Sequence, residues 1–286
     1  MKIAPFAPLE PAFYREVVRR ALAEDLGWGD VTTEGTVSSD LRGRGRLLAR
    51  EPCVVAGLDV AAEAFRQLDP NAKSTWYVSE GASVGAGALL GDVIGRAGAL
   101  LTAERTALNF LQRLCGIATL TRCYVEAAGG RTIVLDTRKT APTLRALDKY
   151  AVRAGGGVNH RLALDDGILI KDNHIAVAGG VRNAVKRMKD AGQDMPIEVE
   201  VKTLDELEAA LDAGADRILA DNMDIDTLRE VVRRARGRAR VEISGGVTLG
   251  RVPELASLGA EFISVGAITH SAHAIDLSFT IEPSED

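Results

Sequence analysis

Phe13, Val17, Val18, Ala21 and Leu22 recur at helical spacing and predict a helix over 11–23 that stops near Gly27. Residues 44–55 read as extended, and 56–68 as a helix ended by Asp69-Pro70. Short strand-like pieces broken by glycines fill 74–96, so this half is mixed α and β with many turns. The texture changes at Leu101. Leu108, Leu111, Leu114, Ile117, Ala118 and Val125 keep helical spacing up to Gly129-Gly130, which predicts a long helix joining two halves. Short apolar runs follow at Ile133-Val134-Leu135, Ile168-Leu169-Ile170, Ile197-Glu198-Val199, 217–220, Val241-Glu242-Ile243 and 262–265. Helical stretches such as LDELEAALDAG separate most of them. Strands alternating with helices predict βαβ units and a parallel sheet.

Chemistry gathers where these runs end. Asp136, Thr137, Arg138, Lys139 and Thr140 follow the first run, and Lys171, Asp172, Asn173 and His174 follow the second. Glu200 follows Val199, Asp221 follows Ala220, Ser244-Gly245-Gly246 follow Ile243, and Gly266-Ala267 follow Val265. In an α/β barrel the carboxyl ends of the strands share one face, so these positions should meet in one bowl. Arg138, Lys139, Arg161 and Lys171, with His160 beside them, make a cationic cluster suited to carboxylates or phosphates. The competing expectation is that they pair with Asp136, Asp165, Asp166 and Asp172. Glu200 and Asp221 suit a hard cation such as Mg²⁺ bridged to a phosphorylated substrate, or else a salt bridge to the cationic side. The glycine turns after the last two strands match the place where barrels bind phosphate. A lone histidine such as His174 orients a loop as readily as it touches a substrate, and Cys115 and Cys123 read as buried spectators.

Length and composition narrow the class. The chain has 286 residues, enough for about two domains. With 46% apolar and 26% charged residues, wholesale disorder is excluded. A net charge of −5 argues against a general nucleic-acid binder. No apolar stretch reaches the roughly 18 residues of a membrane helix, and the opening MKIAPFAPLE lacks the pattern of a secretory signal. Cys53, Cys115 and Cys123 form no CxxC pair, which fits a reducing, cytoplasmic setting. There is no GxGxxG or Walker motif.

Longer segments carry a resemblance: EDLGWGDVTT, ERTALNFLQRLCGIAT, DTRKTAPTLRALDKYAVRAGGGVNHRLALDDGILIKDNHI, EVEVKTLDELEAALDAGADRILADN, and EISGGVTL with ISVGAITHSA. Together they resemble the quinolinate phosphoribosyltransferase family over nearly the whole chain. The resemblance implies an N-terminal α/β sandwich over 1–112, to which a tail at 272–286 returns, and an open, incomplete TIM-like α/β barrel over 113–271. It implies that quinolinate and phosphoribosyl pyrophosphate give nicotinate mononucleotide, pyrophosphate and CO₂ with Mg²⁺, in the de novo route to NAD. It places Arg105, Arg138, His160, Arg161 and Lys171 on quinolinate and Lys139 near the pyrophosphate. Glu200 and Asp221 fall on the Mg²⁺ and ribose side. Ser244, Gly245, Gly246, Gly266 and His270 hold the 5′-phosphate, with Thr137, Val265 and Ala267 completing the substrate-binding set. Lys139, Lys171, Glu200 and Asp221 are the implied catalytic group. It also implies a homodimer in which Arg105 reaches the partner's site. Departures fall at Ala82-Ser83, Lys202 and His273, outside the implied site. Two alternatives stand beside this reading. One is a related phosphoribosyltransferase of the molybdate-operon type acting on another anionic ring. The other is a non-catalytic sensor of a phosphate ligand.

Overall fold

The computed structural model describes residues 6–284. Residues 1–5 and 285–286, counted above in the signal-free start and in the returning tail, lie outside the described residues. The first half runs through α1 (Arg15–Leu26), α2 (Val31–Thr36), β1 (Arg42–Ala49), β2 (Cys53–Val54), α3 (Leu58–Leu68), β3 (Lys73–Trp76), β4 (Ser83–Val84) and β5 (Leu89–Arg96). The long α4 (Ala97–Ala128) follows, then β6 (Ile133–Leu135), α5 (Arg145–Ala154), β7 (Ile168–Ile170), α6 (Asp172–Ala178) and α7 (Val181–Asp190). The chain continues through β8 (Ile197–Val201), α8 (Leu204–Asp212), β9 (Arg217–Asp221), α9 (Ile225–Ala235) and β10 (Arg240–Ser244). It closes with α10 (Val252–Ser257), β11 (Phe262–Ser264), α11 (Ala267–His270) and β12 (Leu277–Pro283).

These elements form two compact units. One runs to Arg122, takes in Thr140–Gly156 and resumes at Ala267. The other comprises Cys123–Lys139 and Gly157–Gly266. The division falls within α4 at 122/123, where the sequence reading expected 112/113, and it assigns α5 to the first unit.

The first unit is built on an antiparallel sheet in the order β12-β1-β5-β3, with β2 and β4 paired separately. The alternating glycines of RGRGR in β1 are explained by packing from the tail. A Cβ at Gly45 would sit 1.9 Å from Phe279 Cζ, so the β12 ring lies directly on the β1 backbone. Phe279 then stacks on Phe65 of α3 at 5.1 Å between ring centroids.

The second unit holds a parallel six-stranded sheet in the order β6-β11-β10-β9-β8-β7. β6 and β7 are the two ends of that order, so a barrel begun by these strands stays open between them. Its strands are short apolar runs, most deeply buried in the middle of the sheet. All five residues of β8, Ile197 to Val201, are buried. Three strands run one or two residues past their expected ends: β8 includes Glu200 and Val201, β9 ends on Asp221 and β10 on Ser244. Among the described residues no helix is long and apolar enough to cross a membrane.

Candidate active site

Parallel strands bring their carboxyl ends to one edge, and in the second unit that edge carries most of the expected residues. Asp221 and Ser244 end adjacent strands and are register partners. Glu200 lies beside Leu219 on the neighbouring strand. Lys171 follows β7 and places its Nζ 3.7 Å from Glu200 Oε2. Thr137, Arg138 and Lys139 follow β6, and Val265 and Gly266 follow β11. Burial is the main influence on Glu200, raising its pKa; Lys171 opposes this and Asp221 adds to it. Glu200 and Asp221 are therefore close enough to sense each other's charge. Two carboxylates on adjacent strands, with one lysine beside Glu200, fit the oxygen ligands of a hard divalent cation.

Arg138 and Arg161 form no ion pair with the acids expected to neutralise them. Asp136 is fully buried and accepts hydrogen bonds from Asn159 Nδ2 at 2.6 Å and from the His160 N–H at 2.9 Å. Asp166 accepts the Leu162 N–H, and Asp172 pairs with Lys202 at 2.7 Å. Among the described residues no ion pair joins Arg138 or Arg161 to a carboxylate. Arg138 Nε is buried without a hydrogen-bond partner. Arg161 donates to the Gly167 carbonyl at 3.0 Å, and burial followed by the nearby Arg138 charge lowers its pKa. Two neighbouring guanidiniums, neither in an ion pair with a carboxylate, make a receptor for an anion. The Lys139 N–H donates to Thr137 Oγ1 at 3.1 Å, which shapes the loop that carries both residues.

The turn after β10 is formed by backbone. Gly245 has φ 82° and Gly246 φ 57°, both in the left-handed region. A Cβ at Gly245 would lie 2.4 Å from Asn222 Cγ and 2.7 Å from the Asn222 backbone nitrogen. That contact is fixed, because the Asn222 N–H donates to the Ser244 carbonyl at 3.0 Å. Among the described residues neither the Gly245 nor the Gly246 amide has a hydrogen-bond partner. Two adjacent free N–H groups suit a phosphate.

Other expected residues are placed differently. His160 has both ring nitrogens engaged by protein: Nδ1 accepts the Arg161 N–H at 2.7 Å, and Nε2 lies 2.9 Å from Glu198 Oε2. His174 Nδ1 accepts the Lys171 N–H at 3.0 Å, so it orients the loop. Arg105, Ala267 and His270 belong to the first unit. Arg105 is exposed on α4, and His270 Nδ1 lies 2.6 Å from Ser271 Oγ. Cys53 and Cys115 are buried, but Cys123 is exposed, contrary to its expected burial.

Three charged residues inside the strands were passed over. Glu198, Glu242 and Arg217 point into the barrel, where Arg217 Nη1 lies 3.4 Å from Glu242 and 3.9 Å from Glu198. The signal was in the sequence. IEVEV alternates, so Glu198 shares a face with Glu200, and an acid at every second position of a buried strand marks an inward polar face.

Comparison with known proteins gives a consistent result. The quinolinate phosphoribosyl transferase C-terminal domain family matches residues 117–280, and its N-terminal domain family matches 30–115. The chloroplastic nicotinate-nucleotide pyrophosphorylase [carboxylating] of Oryza sativa is 41% identical, covering 98% of this chain and 80% of the rice protein. The probable nicotinate-nucleotide pyrophosphorylase [carboxylating] of Bacillus subtilis is 39% identical, covering 95% of this chain and 94% of that one. The solved structure of the Francisella tularensis nicotinate-nucleotide pyrophosphorylase superposes with a TM-score of 0.93 at 40% identity, covering 98% and 100% of the two chains.

Proposed function

The chain belongs to the quinolinate phosphoribosyltransferase family, and from this membership and the site geometry we infer its reaction. It transfers the phosphoribosyl group of phosphoribosyl pyrophosphate to quinolinate with loss of CO₂, giving nicotinate mononucleotide and pyrophosphate for NAD biosynthesis. The observation that carries the reading is the pair of guanidiniums without an ion pair, Arg138 and Arg161, in the unit whose strand ends carry Glu200 and Asp221. A ring with two adjacent carboxylates calls for the first set, and a phosphorylated sugar calls for the second.

The ring nitrogen of quinolinate attacks the anomeric carbon as the bond to pyrophosphate breaks. Positive charge gathers on the ribose, and fixed carboxylates nearby stabilise it. The new C–N bond leaves a cationic ring nitrogen. The carboxylate beside it departs as CO₂, its bonding electrons stay on the ring carbon next to that nitrogen, and a proton completes the product. Arg138, Arg161 and Lys171 hold the dicarboxylate through this sequence, Lys139 serves the pyrophosphate, and the Ser244–Gly246 turn holds the 5′-phosphate with Gly266. Glu200 and Asp221 would hold Mg²⁺, which when bound supplies counter-charge to the departing pyrophosphate. We further propose a homodimer in which Arg105 completes the partner's site. We also propose a cytoplasmic setting, a reading supported by the three free cysteines, which suit a reducing compartment.

The test is direct. Protein mixed with quinolinate, phosphoribosyl pyrophosphate and Mg²⁺ should release CO₂ and nicotinate mononucleotide in equal amounts. Turnover of a different anionic ring, with none of quinolinate, would instead support the related transferase.

Single alanine variants of Arg138, Arg161 and Lys171 should each weaken quinolinate binding by about 1.5–3 kcal/mol, the cost of losing a charged hydrogen bond. Melting temperatures should stay near that of the parent, because neither guanidinium is paired to a carboxylate in the fold. Calorimetric titration with quinolinate, beside thermal melts, checks both. Unfolding with unchanged affinity in the folded fraction would mean that the charges are structural.

A further inference from the structure

At the strand-end edge of the second unit, Asn222 follows Asp221 directly and has φ 55°. Among the described residues only Thr143 shares that left-handed backbone without being glycine. Asparagine is one of the few side chains that tolerate the conformation, and its use beside a site points to a function there. The Asn222 N–H donates to the Ser244 carbonyl at 3.0 Å. Its Nδ2 donates to Asp221 Oδ2 at 3.0 Å. A carboxylate only accepts, so the NH₂ end of the amide faces Asp221 and Oδ1 is left on the side of the glycine turn. There the amide lies against backbone. A Cβ at Gly245 would come within 2.5 Å of Asn222 Oδ1, and one at Gly246 within 3.7 Å. At the other end of the turn, Arg251 Nη1 donates to the Gly246 carbonyl at 3.1 Å. Protein donors thus take the carbonyls of Ser244 and Gly246, while the amides of Gly245 and Gly246 stay free among the described residues.

On the reading that this is a quinolinate phosphoribosyltransferase, we propose that Asn222 is a positioning residue for phosphoribosyl pyrophosphate, fixing the Asp221 carboxylate and the phosphate-holding turn relative to each other. The two receptors serve one molecule. Its 5′-phosphate belongs on the turn and its ribose beside Asp221, and a single sugar sets the span between them. A receptor already set to that span avoids the cost of ordering and holds the anomeric carbon where the ring nitrogen attacks. Strand pairing brings Asp221 and Ser244 into register. It fixes neither the rotation of a carboxylate nor the course of a turn beyond the strand, and Asn222 supplies both. Its Nδ2 holds one oxygen of Asp221, while its N–H and the flat face of its amide set Ser244 and Gly245. Glycine would permit φ 55° and keep the N–H, but it has no amide. Aspartate has the shape, but both of its oxygens accept, and one would oppose Asp221. Asparagine combines the backbone, the donor and the flat face.

Asn222→Gly and Asn222→Asp separate this from a merely structural role. Glycine meets the backbone demand and removes only the amide; aspartate keeps the size and removes the donor. In both, the KM for phosphoribosyl pyrophosphate should rise about 10–100-fold, the usual cost of losing an orienting partner. Quinolinate KM, and quinolinate affinity by calorimetric titration, should stay near the parent values. Ribose 5-phosphate, titrated without Mg²⁺, reads the same effect with neither turnover nor metal, and it should bind the glycine variant about tenfold or more weakly than the parent. The aspartate variant carries the same comparison if glycine loosens the fold. A glycine variant with the parent's KM values would mean that only the backbone conformation matters, and it overturns the proposal. An equal rise in both KM values, the mark of a site disturbed as a whole, also overturns it. A parent that binds ribose 5-phosphate more tightly than the glycine variant but does not turn over quinolinate would instead fault the assigned reaction.

Discussion

Asp221→Ala is expected to lower turnover about 10–100-fold or more while leaving the fold intact. Asp221 ends β9 at the strand-end edge, and its Oδ2 accepts a hydrogen bond from Asn222 Nδ2 at 3.0 Å. It has no ion pair among the described residues, and its charge raises the pKa of the buried Glu200 next to it. Its removal therefore relieves a repulsion, and the melting temperature should not fall. What disappears is half of an acidic pair that fits a hard cation. The same loss should follow when the parent is assayed in excess chelator and be restored by Mg²⁺. Full activity of Asp221→Ala, or of the parent in chelator, would count against the metal role of this pair. Glu200→Gln offers a second measurement at the other carboxylate, where the amide keeps the shape but not the charge.

The pattern of apolar runs identified all six barrel strands because each is a β-branched segment with no competing helical period. It ends three of them early because Glu200, Asp221 and Ser244 are polar and read as loop residues. In the structure these residues continue the strands, their side chains turned into the barrel. The same cause hid Glu198 and Glu242, since an acid inside a short apolar run reads as an interruption. Two helices were illegible for a different reason. α6 buries none of its residues, so it leaves no apolar stripe, and its start is set by Lys171 and His174. α2 is rich in threonine and also buries nothing; the Asp30 side chain accepts the Thr33 N–H at 3.0 Å and holds its first turn. The residues read from spacing alone, the cationic set and the acidic pair, do stand at one edge of one unit. The role of His160 could not be read, because it depends on which groups lie below it.

A mixture of Arg105→Ala and Lys171→Ala subunits is expected to recover activity that neither variant has alone. Arg105 lies on α4 in the first unit, while Lys171 follows β7 in the second. The competing account is that Arg105 pairs with an acid on its own helix surface, a contact worth under about 1 kcal/mol. No ion pair in the structure carries that account. Arg105 is exposed, and its guanidinium has no ion pair among the described residues, Glu104 included. Glu104 has its pKa raised by burial, with Arg105 at the next position opposing this. An exposed, unpaired arginine in the ERTALNF segment fits a group whose partner is on another chain. If sites are shared across a two-fold dimer, each mixed dimer has one site with both defects and one with neither. About half the dimers are mixed after full exchange, so activity should reach roughly a quarter of the parent. Subunit exchange is confirmed by mass with one variant isotopically labelled. Exchange without recovery would mean that Arg105 serves its own subunit or none, and the dimer would lose its catalytic rationale.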